Sequence, residues 1–288
     1  MLNEFCVDAP CKINIGLKVL PKREDNFHGI ESIFSTVSLC DKLFIKVLPS
    51  LNCCTVECSA IELPENNTIS LTYQLFKNML KNDLPSVHVV IDKRIPSGGG
   101  LGGGSSDAAS FLLALNELLN SPFTYEQLTQ IASGVGSDVF FFLNCAYYKN
   151  NAAIVTGRGE NILPIPKRKD LHFLLVFPGV HSSTKEAYSL IDELYESGKK
   201  IEYPSLDKLV SIYNGSVRNW NFVNTFSSVV PKKYSKIEQA IIDLKTNGAL
   251  YTDMSGSGST VFGVFTSREE VVKIQKKLSG SWNVCSCF

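Results

Sequence analysis

Six of the seven residues from Gly98 to Gly104 are glycine. A glycine inside a helix or strand costs roughly 0.5–1 kcal/mol relative to alanine, so this density argues against the interior of a regular element. It suits a loop whose backbone passes through positive φ and lets an external group reach its N–H donors. The stretch therefore predicts a loop that binds an anion through its backbone.

Regular elements flank this loop on both sides. Before it, Val87, Val89 and Ile91 alternate with other residues as in a strand. After it, apolar residues recur at the spacing of one buried helix face: Ala108, Phe111, Leu112, Leu115, Leu118 and Leu119. We expect Ser105 or Ser106 to supply the N-cap oxygen and Asp107 to lie in the first turn. A strand, a glycine loop and a helix N-terminus in this order are typical of a phosphate site.

Three other interpretations of the loop are weaker. A Walker A motif needs a lysine before its Ser or Thr, and Gly104 stands there instead. A dinucleotide fingerprint is matched by Gly98, Gly100 and Gly103, but the second strand with its acidic end is replaced by a helical pattern. A flexible linker would not usually be flanked by a strand and a capped apolar helix.

Composition limits the class of protein. Lys plus Arg and Asp plus Glu both number 28, so the formal net charge is zero and no nucleic-acid partner is indicated. The first residues lack the pattern of a secretory signal, and no apolar run approaches the ~20 residues of a membrane helix. We therefore expect a cytoplasmic protein without a membrane partner, and the 288 residues are enough for two domains.

Cysteine and histidine are not spaced as metal ligands. The chain has nine cysteines and four histidines but no Cys-x2-Cys pair. Zinc sites usually draw on closely spaced ligand pairs, so zinc is not expected. The odd number of cysteines favours reduced thiols, which we expect to be mostly buried.

Three further patterns predict helices outside the loop. Ser70 to Lys81 is predicted to be a helix with Leu71, Leu75, Met79 and Leu80 on its inner face. Thr124 and Gln127 have capping-box spacing and are expected to open a helix through Ala132. Ser183 and Thr184 are expected to open an amphipathic helix through Leu194.

The segment PSGGGLGGGSSDAA, from Pro96 to Ala109, resembles the phosphate loop of the GHMP kinases. The segment APCKIN, from Ala9 to Asn14, resembles the opening motif of that family, with Cys11 in place of an alanine. The segment MSGSGS, from Met254 to Ser259, resembles its third motif. The resemblance implies that ATP is bound by the loop residues Pro96, Ser97, Gly98, Gly99, Gly100, Leu101, Gly102, Gly103, Gly104, Ser105 and Ser106.

The resemblance also implies a catalytic pair. Lys12 of the opening motif would lie in the active site, and Asn14, on the same face of the strand, would contact substrate. The segment from Gly134 to Leu143 is similar to the family motif whose aspartate is the proposed catalytic base, which places that role on Asp138. Phe140 stands where the family usually has proline. An aspartate beside aromatic residues also commonly caps a turn, so that alternative stays open.

Two segments resemble one subfamily of the GHMP kinases. REDNFHGI, from Arg23 to Ile30, is similar to a segment whose aromatic residue stacks on cytosine and whose histidine reads the edge of the base. Phe27 and His28 take these roles by resemblance, and Gly256 joins them as a substrate-binding residue. The turn GRGE, from Gly157 to Glu160, also matches this subfamily.

The resemblance implies an α+β fold of two domains. A domain similar to domain 2 of ribosomal protein S5 would span residues 1–160, and a ferredoxin-like domain would span residues 161–288, with the active site in the cleft between them. The reaction implied is phosphorylation by ATP, with Mg²⁺, of a cytidine diphosphate derivative of methylerythritol. Ser105 or Ser106 would be the first candidates to bind Mg²⁺.

Two alternatives to this function stay open. One is a mevalonate or homoserine type of GHMP kinase, which should lack the Phe27-His28 segment. The other is a non-catalytic nucleotide-binding protein of the same fold, which should lack Lys12 or Asp138. The sequence does not indicate an oligomeric state.

Overall fold

The computed structural model describes residues 4–288. Its strands are β1 (Glu4–Lys22), β2 (His28–Leu51), β3 (Cys54–Cys58), β4 (Pro85–Asp92), β5 (Ala152–Gly157), β6 (Asn161–Pro164), β7 (His172–Phe177), β8 (Tyr251–Met254), β9 (Val261–Phe265) and β10 (Asn283–Cys287). Its helices are α1 (Thr68–Leu80), α2 (Gly103–Leu118), α3 (Tyr125–Val135), α4 (Val139–Tyr148), α5 (Thr184–Glu196), α6 (Leu209–Asn214), α7 (Val230–Lys233), α8 (Ser235–Thr246) and α9 (Arg268–Leu278). Short 3₁₀ turns precede α6 and α7.

These elements belong to two compact units that interleave along the chain. The first unit contains the chain up to Cys11, Leu39–Ser97 and Gly102–Asn150. The second contains Lys12–Ser38, Gly98–Leu101 and Asn151–Phe288. The glycine loop thus contributes to both units. The domain boundary expected at residue 160 stays a prediction.

The first unit combines part of a sheet with four helices. In it, β2 runs antiparallel to β4, with Lys42 opposite Asp92, and β3 runs parallel to β4. Helix α2 contacts α1, α3 and α4. Phe76, Phe111 and Phe141 are among its largest fully buried side chains. The strand and helix expected on either side of the glycine loop are β4 and α2.

Two helices of this unit test the sequence patterns directly. Helix α3 begins after Thr124, and the side chains of Thr124 and Gln127 form both bonds of the capping box, which confirms the prediction. Helix α1 is present, but the predicted inner face is wrong, because Ile69, Tyr73 and Phe76 are buried instead. The helix has apolar residues on more than one side, and its large aromatic side chains take the core positions.

The second unit contains a four-stranded antiparallel sheet in the order β10-β7-β9-β8. Helices α8 and α9 contact this sheet. Together, β7, α8, β8, β9, α9 and β10 follow the β-α-β-β-α-β pattern of the ferredoxin-like fold that the resemblance implies. In the same unit, the first part of β2 pairs with β5, and β5 pairs with β6.

All nine cysteines lie within the described residues 4–288, and none of them forms a disulfide. Only Cys11, Cys145 and Cys287 are buried, so the prediction that most of them are buried is wrong. Several of the others lie on β1, β2 and β3, where alternate residues of a strand face outward.

None of the helices within residues 4–288 has the length and apolar character needed to cross a membrane.

Candidate active site

Helix α2 begins earlier than the sequence pattern indicates. Its N-cap is Gly102, which has a left-handed φ of 70°, and its first residue is Gly103. The predictions that Ser105 or Ser106 caps the helix and that Asp107 lies in its first turn are therefore wrong. Glycine allows the chain to turn into the helix without a side-chain cap, because it has no Cβ to disfavour positive φ. The helix N-terminus consequently points its free amides at the end of the glycine loop.

Two of the loop glycines are required by their surroundings. At Gly100, with φ of 76°, an added Cβ would lie 2.0 Å from the carbonyl oxygen of Ser255. At Gly102, an added Cβ would lie 2.8 Å from the ring of Phe142 and 3.3 Å from Oδ2 of Asp138. Neither contact leaves room for a side chain. The backbone of the loop is therefore held close to its neighbours.

Three successive carbonyls of the loop are bonded inside the second unit. The amide of Thr260 donates to Gly99 at 3.2 Å, Oγ of Ser255 donates to Gly100 at 2.9 Å, and the amide of Lys12 donates to Leu101 at 3.0 Å. In a planar trans peptide, the next N–H points opposite to the carbonyl. The amides of Gly100, Leu101 and Gly102 therefore point away from these partners. Successive free amides of this kind make an anion-binding cradle.

Asp138 lies beside the start of α2 in the first unit. It occupies the N-cap position of α4 but makes no side-chain capping bond there. Its Oδ2 atom is the carboxylate oxygen that approaches Gly102. Its side chain therefore does not cap α4, and its role as the catalytic base stays a prediction. A half-buried carboxylate is placed next to the proposed anion site.

Lys12 and Asn14 form a buried pair on β1 in the second unit. Nζ of Lys12 donates to Oδ1 of Asn14 at 2.7 Å and lies 4.6 Å from the ring centroid of Phe34. The amide nitrogen of Asn14 is 3.4 Å from Oγ of Ser32. Asn14 therefore holds the lysine ammonium in place. Its predicted contact with substrate, and the expected pairing of Lys12 with Asp138, stay predictions.

The remaining loop residues differ in accessibility. Ser97 and Gly98 are exposed, while Pro96 and Ser105 are half-buried. Ser106 is fully buried, and its hydroxyl donates to the carbonyl of Pro10 at 2.6 Å. The Ser106 hydroxyl is therefore engaged within the fold, and its predicted contacts with ATP and Mg²⁺ stay predictions. Ser105 is the hydroxyl at this place that remains partly accessible.

The β8–β9 turn supports the loop from the second unit. Gly256 has a φ of 57°, and an added Cβ would lie 3.2 Å from the carbonyl oxygen of Gly100 and 3.5 Å from Oδ1 of Asn14. The side-chain amide of Asn224 donates to the carbonyls of Met254 and Gly256 at 2.7 and 2.8 Å. Sequence reasoning did not assign a role to Asn224, because its partners lie 30 and 32 positions away. Gly256 is thus placed against the loop and the Lys12–Asn14 pair.

Phe27 and His28 lie at the start of β2 and have different surroundings. The Phe27 side chain is 49% exposed, and the guanidinium of Arg158 lies 3.8 Å from its ring centroid. Arg158 belongs to the Gly157–Glu160 turn, so the two subfamily segments meet here. One face of the aromatic ring is thus covered by a cation.

The His28 ring is almost fully engaged by protein groups. Its Nδ1 atom lies 2.8 Å from the carbonyl oxygen of Leu20, which only accepts, so Nδ1 carries a proton. Its Nε2 atom lies 3.3 Å from a carboxylate oxygen of Asp192, and the ring stacks on Tyr188 with centroids 5.0 Å apart. Reading the edge of a base with this ring would require one of these contacts to be given up. Asp192 and Tyr188 were not found from the sequence, since α5 carries no motif there.

No group of three or more histidine, cysteine or acidic side chains suited to a metal occurs in the part of the chain that the structure describes. Mg²⁺ usually keeps several waters and takes one or two protein ligands plus phosphate oxygens. The half-buried Ser105 is compatible with that kind of binding.

Comparison with known proteins gives consistent matches along the chain. Residues 67–146 match the model described as GHMP kinases N terminal domain, and residues 205–284 match GHMP kinases C terminal. The 4-diphosphocytidyl-2-C-methyl-D-erythritol kinase of Treponema pallidum is 35% identical over 290 residues, covering 99% of this chain and 98% of that protein. The enzyme of the same name from Bacteroides fragilis is 36% identical, covering 91% and 93%.

Solved structures give the same picture. A crystal structure of 4-(cytidine 5'-diphospho)-2C-methyl-D-erythritol kinase has a TM-score of 0.77 and 25% identity, and covers 98% of both chains. A homoserine kinase from Cytophaga hutchinsonii has a TM-score of 0.68 with 18% identity, covering 100% of this chain and 95% of that one. At 18% identity, the similarity to the homoserine kinase shows only that the two proteins share a fold.

Proposed function

This chain belongs to the GHMP kinase family, and we propose that it phosphorylates the 2-hydroxyl of 4-diphosphocytidyl-2-C-methyl-D-erythritol with ATP. The proposal makes it an enzyme of isoprenoid precursor synthesis by the non-mevalonate route. The observation that carries the chemistry is the glycine loop, whose amides at Gly100, Leu101 and Gly102 point away from their bonded carbonyls. The substrate is supported by the near full-length similarity to two curated kinases named for it.

The loop suits the phosphates of ATP. Gly100 and Gly102 have no room for a side chain, because an added Cβ would collide with neighbouring atoms. The cradle therefore consists of backbone N–H donors. The free amides at the start of α2 add further donors, and the helix dipole favours negative charge there. ATP supplies the γ-phosphoryl group, and Mg²⁺ would neutralise part of its charge, with Ser105 as the proposed protein contact of the ion.

Asp138 is proposed to act as the general base. Phosphoryl transfer depends on positioning and charge stabilisation more than on covalent catalysis. The carboxylate lies beside Gly102, and so beside the proposed phosphate cradle. There it accepts the proton of the substrate 2-hydroxyl as the oxygen forms its bond to the γ-phosphorus, while the bond from that phosphorus to the bridging oxygen of ATP breaks and ADP leaves.

Lys12 is proposed to stabilise the negative charge that develops on the attacking oxygen. Its ammonium is buried and fixed by Asn14, and Asn14 in turn contacts Ser32. A fixed cation in a buried place stabilises developing charge without having to reorganise during the reaction. Asn14 then acts as a positioning residue for Lys12, in addition to the substrate contact predicted for it.

Phe27 is proposed to stack on the cytosine of the substrate. The side chain is exposed and presents a flat apolar face, with Arg158 on one side of the ring. A base can use the opposite face while the guanidinium keeps its cation–π contact. The role of His28 in hydrogen bonding to the edge of the base stays a prediction. That role would require His28 to break its contact with Leu20 or with Asp192.

An assay of ADP release with three acceptors tests the function. The wild-type protein should turn over with the diphosphocytidyl compound and show little activity with mevalonate or homoserine. A matched variant, Asp138→Asn, serves as the background control for contaminating kinases. Efficient phosphorylation of mevalonate or homoserine, without activity on the cytidyl compound, would refute the proposed substrate. The assignment of the chain to the GHMP kinase family would still hold.

A further inference from the structure

A buried cluster of charges connects the two ends of the glycine loop within the first unit. Nζ of Lys93 lies 2.6 Å from Oδ2 of Asp41 and 2.7 Å from Oδ2 of Asp107. Asp41 is 0% exposed and Asp107 is 3% exposed. We call these three residues the loop clamp. None of them belongs to the site assigned above.

Asp41 holds the segment that enters the loop. Its second carboxylate oxygen accepts hydrogen bonds from the amides of Arg94 and Ile95 at 2.6 and 2.8 Å. These two residues directly precede Pro96, the first residue of the proposed ATP-binding segment. Because two adjacent amides are bonded to one oxygen, the direction in which the chain enters the loop is fixed.

Lys93 holds the segment that enters the loop against the start of α2, where the chain leaves the loop. An added Cβ at Gly103, the first residue of α2, would lie 3.2 Å from Nζ of Lys93 and 3.0 Å from the Ile95 side chain. Lys93 also bonds Asp107 on the same helix. The entering segment is therefore in direct contact with the start of α2, and the loop must close over this contact.

The charges in the clamp depend on one another. Burial by itself would lower the pKa of Lys93, but Asp107 and Asp41 outweigh it and raise that pKa, which keeps the ammonium charged. Asp41 and Asp107 share the single ammonium of Lys93, so replacing Asp41 changes the charge balance of the whole cluster. A cluster of this kind tolerates few other arrangements of the two chain segments.

We propose that Asp41 is a positioning residue for ATP binding. Through Lys93 and the amides of Arg94 and Ile95, it holds the two ends of the loop where the loop amides can meet the phosphates. Asp41 has no exposed surface, so it cannot touch a nucleotide itself. The proposal rests on the proposed function only in taking the glycine loop as the ATP site.

The test is calorimetric binding of ATP to the full chain without any acceptor. Asp41→Asn should weaken ATP binding by about tenfold or more, while the KM for the cytidyl substrate changes much less. The matched control is Asp92→Asn, since Asp92 is an aspartate on β4 whose side chain is 42% exposed and pairs with Arg94. This control should bind ATP as the wild type does.

A second measurement separates positioning from general loss of stability. Amide hydrogen exchange in ATP-free protein should accelerate from Gly98 to Gly104 in Asp41→Asn, with exchange in α3 and β9 unchanged. If Asp41→Asn does not fold, Lys93→Met is measured in the same way.

Wild-type ATP affinity in a folded clamp variant would overturn the proposal and leave the kinase assignment intact. Failure of the wild type to bind ATP would refute both the loop assignment and the clamp.

Discussion

Asp107 keeps one carboxylate oxygen buried without a hydrogen-bond partner. Burial raises the pKa of this carboxyl to about 7, with a further rise from Asp41 and an opposing effect of Lys93. A raised carboxyl pKa means that the folded protein favours the protonated form. Stability from this group is therefore fully present below about pH 4 and is lost as the pH rises to about 7.

The variant Asp107→Asn should remove this pH dependence. An amide keeps an oxygen that can accept from Lys93 but has no charge to bury. At pH 8 the variant should be more stable than wild type by up to about 4 kcal/mol, and the difference should vanish near pH 4. Urea unfolding of both proteins across this range measures it. A constant difference at all pH values would contradict the prediction.

Asp138→Asn tests the proposed base. Turnover should fall by about 10²–10⁴, the usual contribution of general-base catalysis, because the amide cannot accept a proton. ATP binding should change little, since asparagine has the shape of aspartate and leaves the backbone of the loop in place. Steady-state kinetics and calorimetry measure the two effects separately. Turnover within a few-fold of wild type would make Asp138 a structural residue.

Phe27→Ala tests the stacking of the base. Stacking of a base on an aromatic ring contributes about 1–3 kcal/mol, so the KM for the cytidyl substrate should rise roughly 5- to 150-fold. Phe27→Tyr, which keeps the ring, is the matched control and should stay near wild type. The KM for ATP should be nearly constant in both variants. If the KM for the cytidyl substrate rose as much in Phe27→Tyr as in Phe27→Ala, Phe27 would act by packing against Arg158 and not by stacking on the base.

At the scale of elements, the glycine loop predicts a graded response to alanine. Gly100→Ala should be the most damaging, because its Cβ would overlap a backbone oxygen of Ser255 at 2.0 Å. Gly102→Ala should come next, with a ring atom of Phe142 at 2.8 Å. Gly104→Ala is the control, since its Cβ would meet only Thr68 at 3.7 Å. ATP affinity and the midpoint of thermal unfolding should both follow this order.

Element positions were more predictable than their details. The capping box of Thr124 and the N-cap at Ser183 were found because a side chain bonds a backbone amide three residues away. The start of α2 was missed because its cap is a glycine conformation, which leaves no side-chain signal. The inner face of α1 was wrong, because the pattern of leucines does not show which side meets the core.

At the scale of the whole molecule, the balance of 28 basic and 28 acidic residues predicts low solubility near neutrality. A net charge close to zero removes the repulsion that keeps molecules apart, and the sequence pI is about 6.9. The concentration of polyethylene glycol needed for precipitation should be lowest near pH 7 and higher at pH 8.5. A monotonic dependence across this range would contradict the expectation.

Parts of the candidate site could be predicted because each lies in one short motif. Lys12, Asp138 and the loop glycines were located in this way. The loop clamp could not be predicted, since Asp41 lies 52 residues from Lys93, and Lys93 lies 14 from Asp107. Such contacts depend on how β2, β4 and α2 assemble, and local periodicity carries no information about them.

The scarcity of side chains in the loop has a consequence for inhibition. A compound that bonds the amides of Gly100, Leu101 and Gly102 recognises backbone N–H groups that every residue except proline possesses, so no substitution other than proline changes their chemistry. The chain could escape such a compound only by adding a Cβ, and at Gly100 or Gly102 that atom collides with its neighbours. Resistance mutations should therefore arise outside the loop, where side chains can vary without closing the phosphate site.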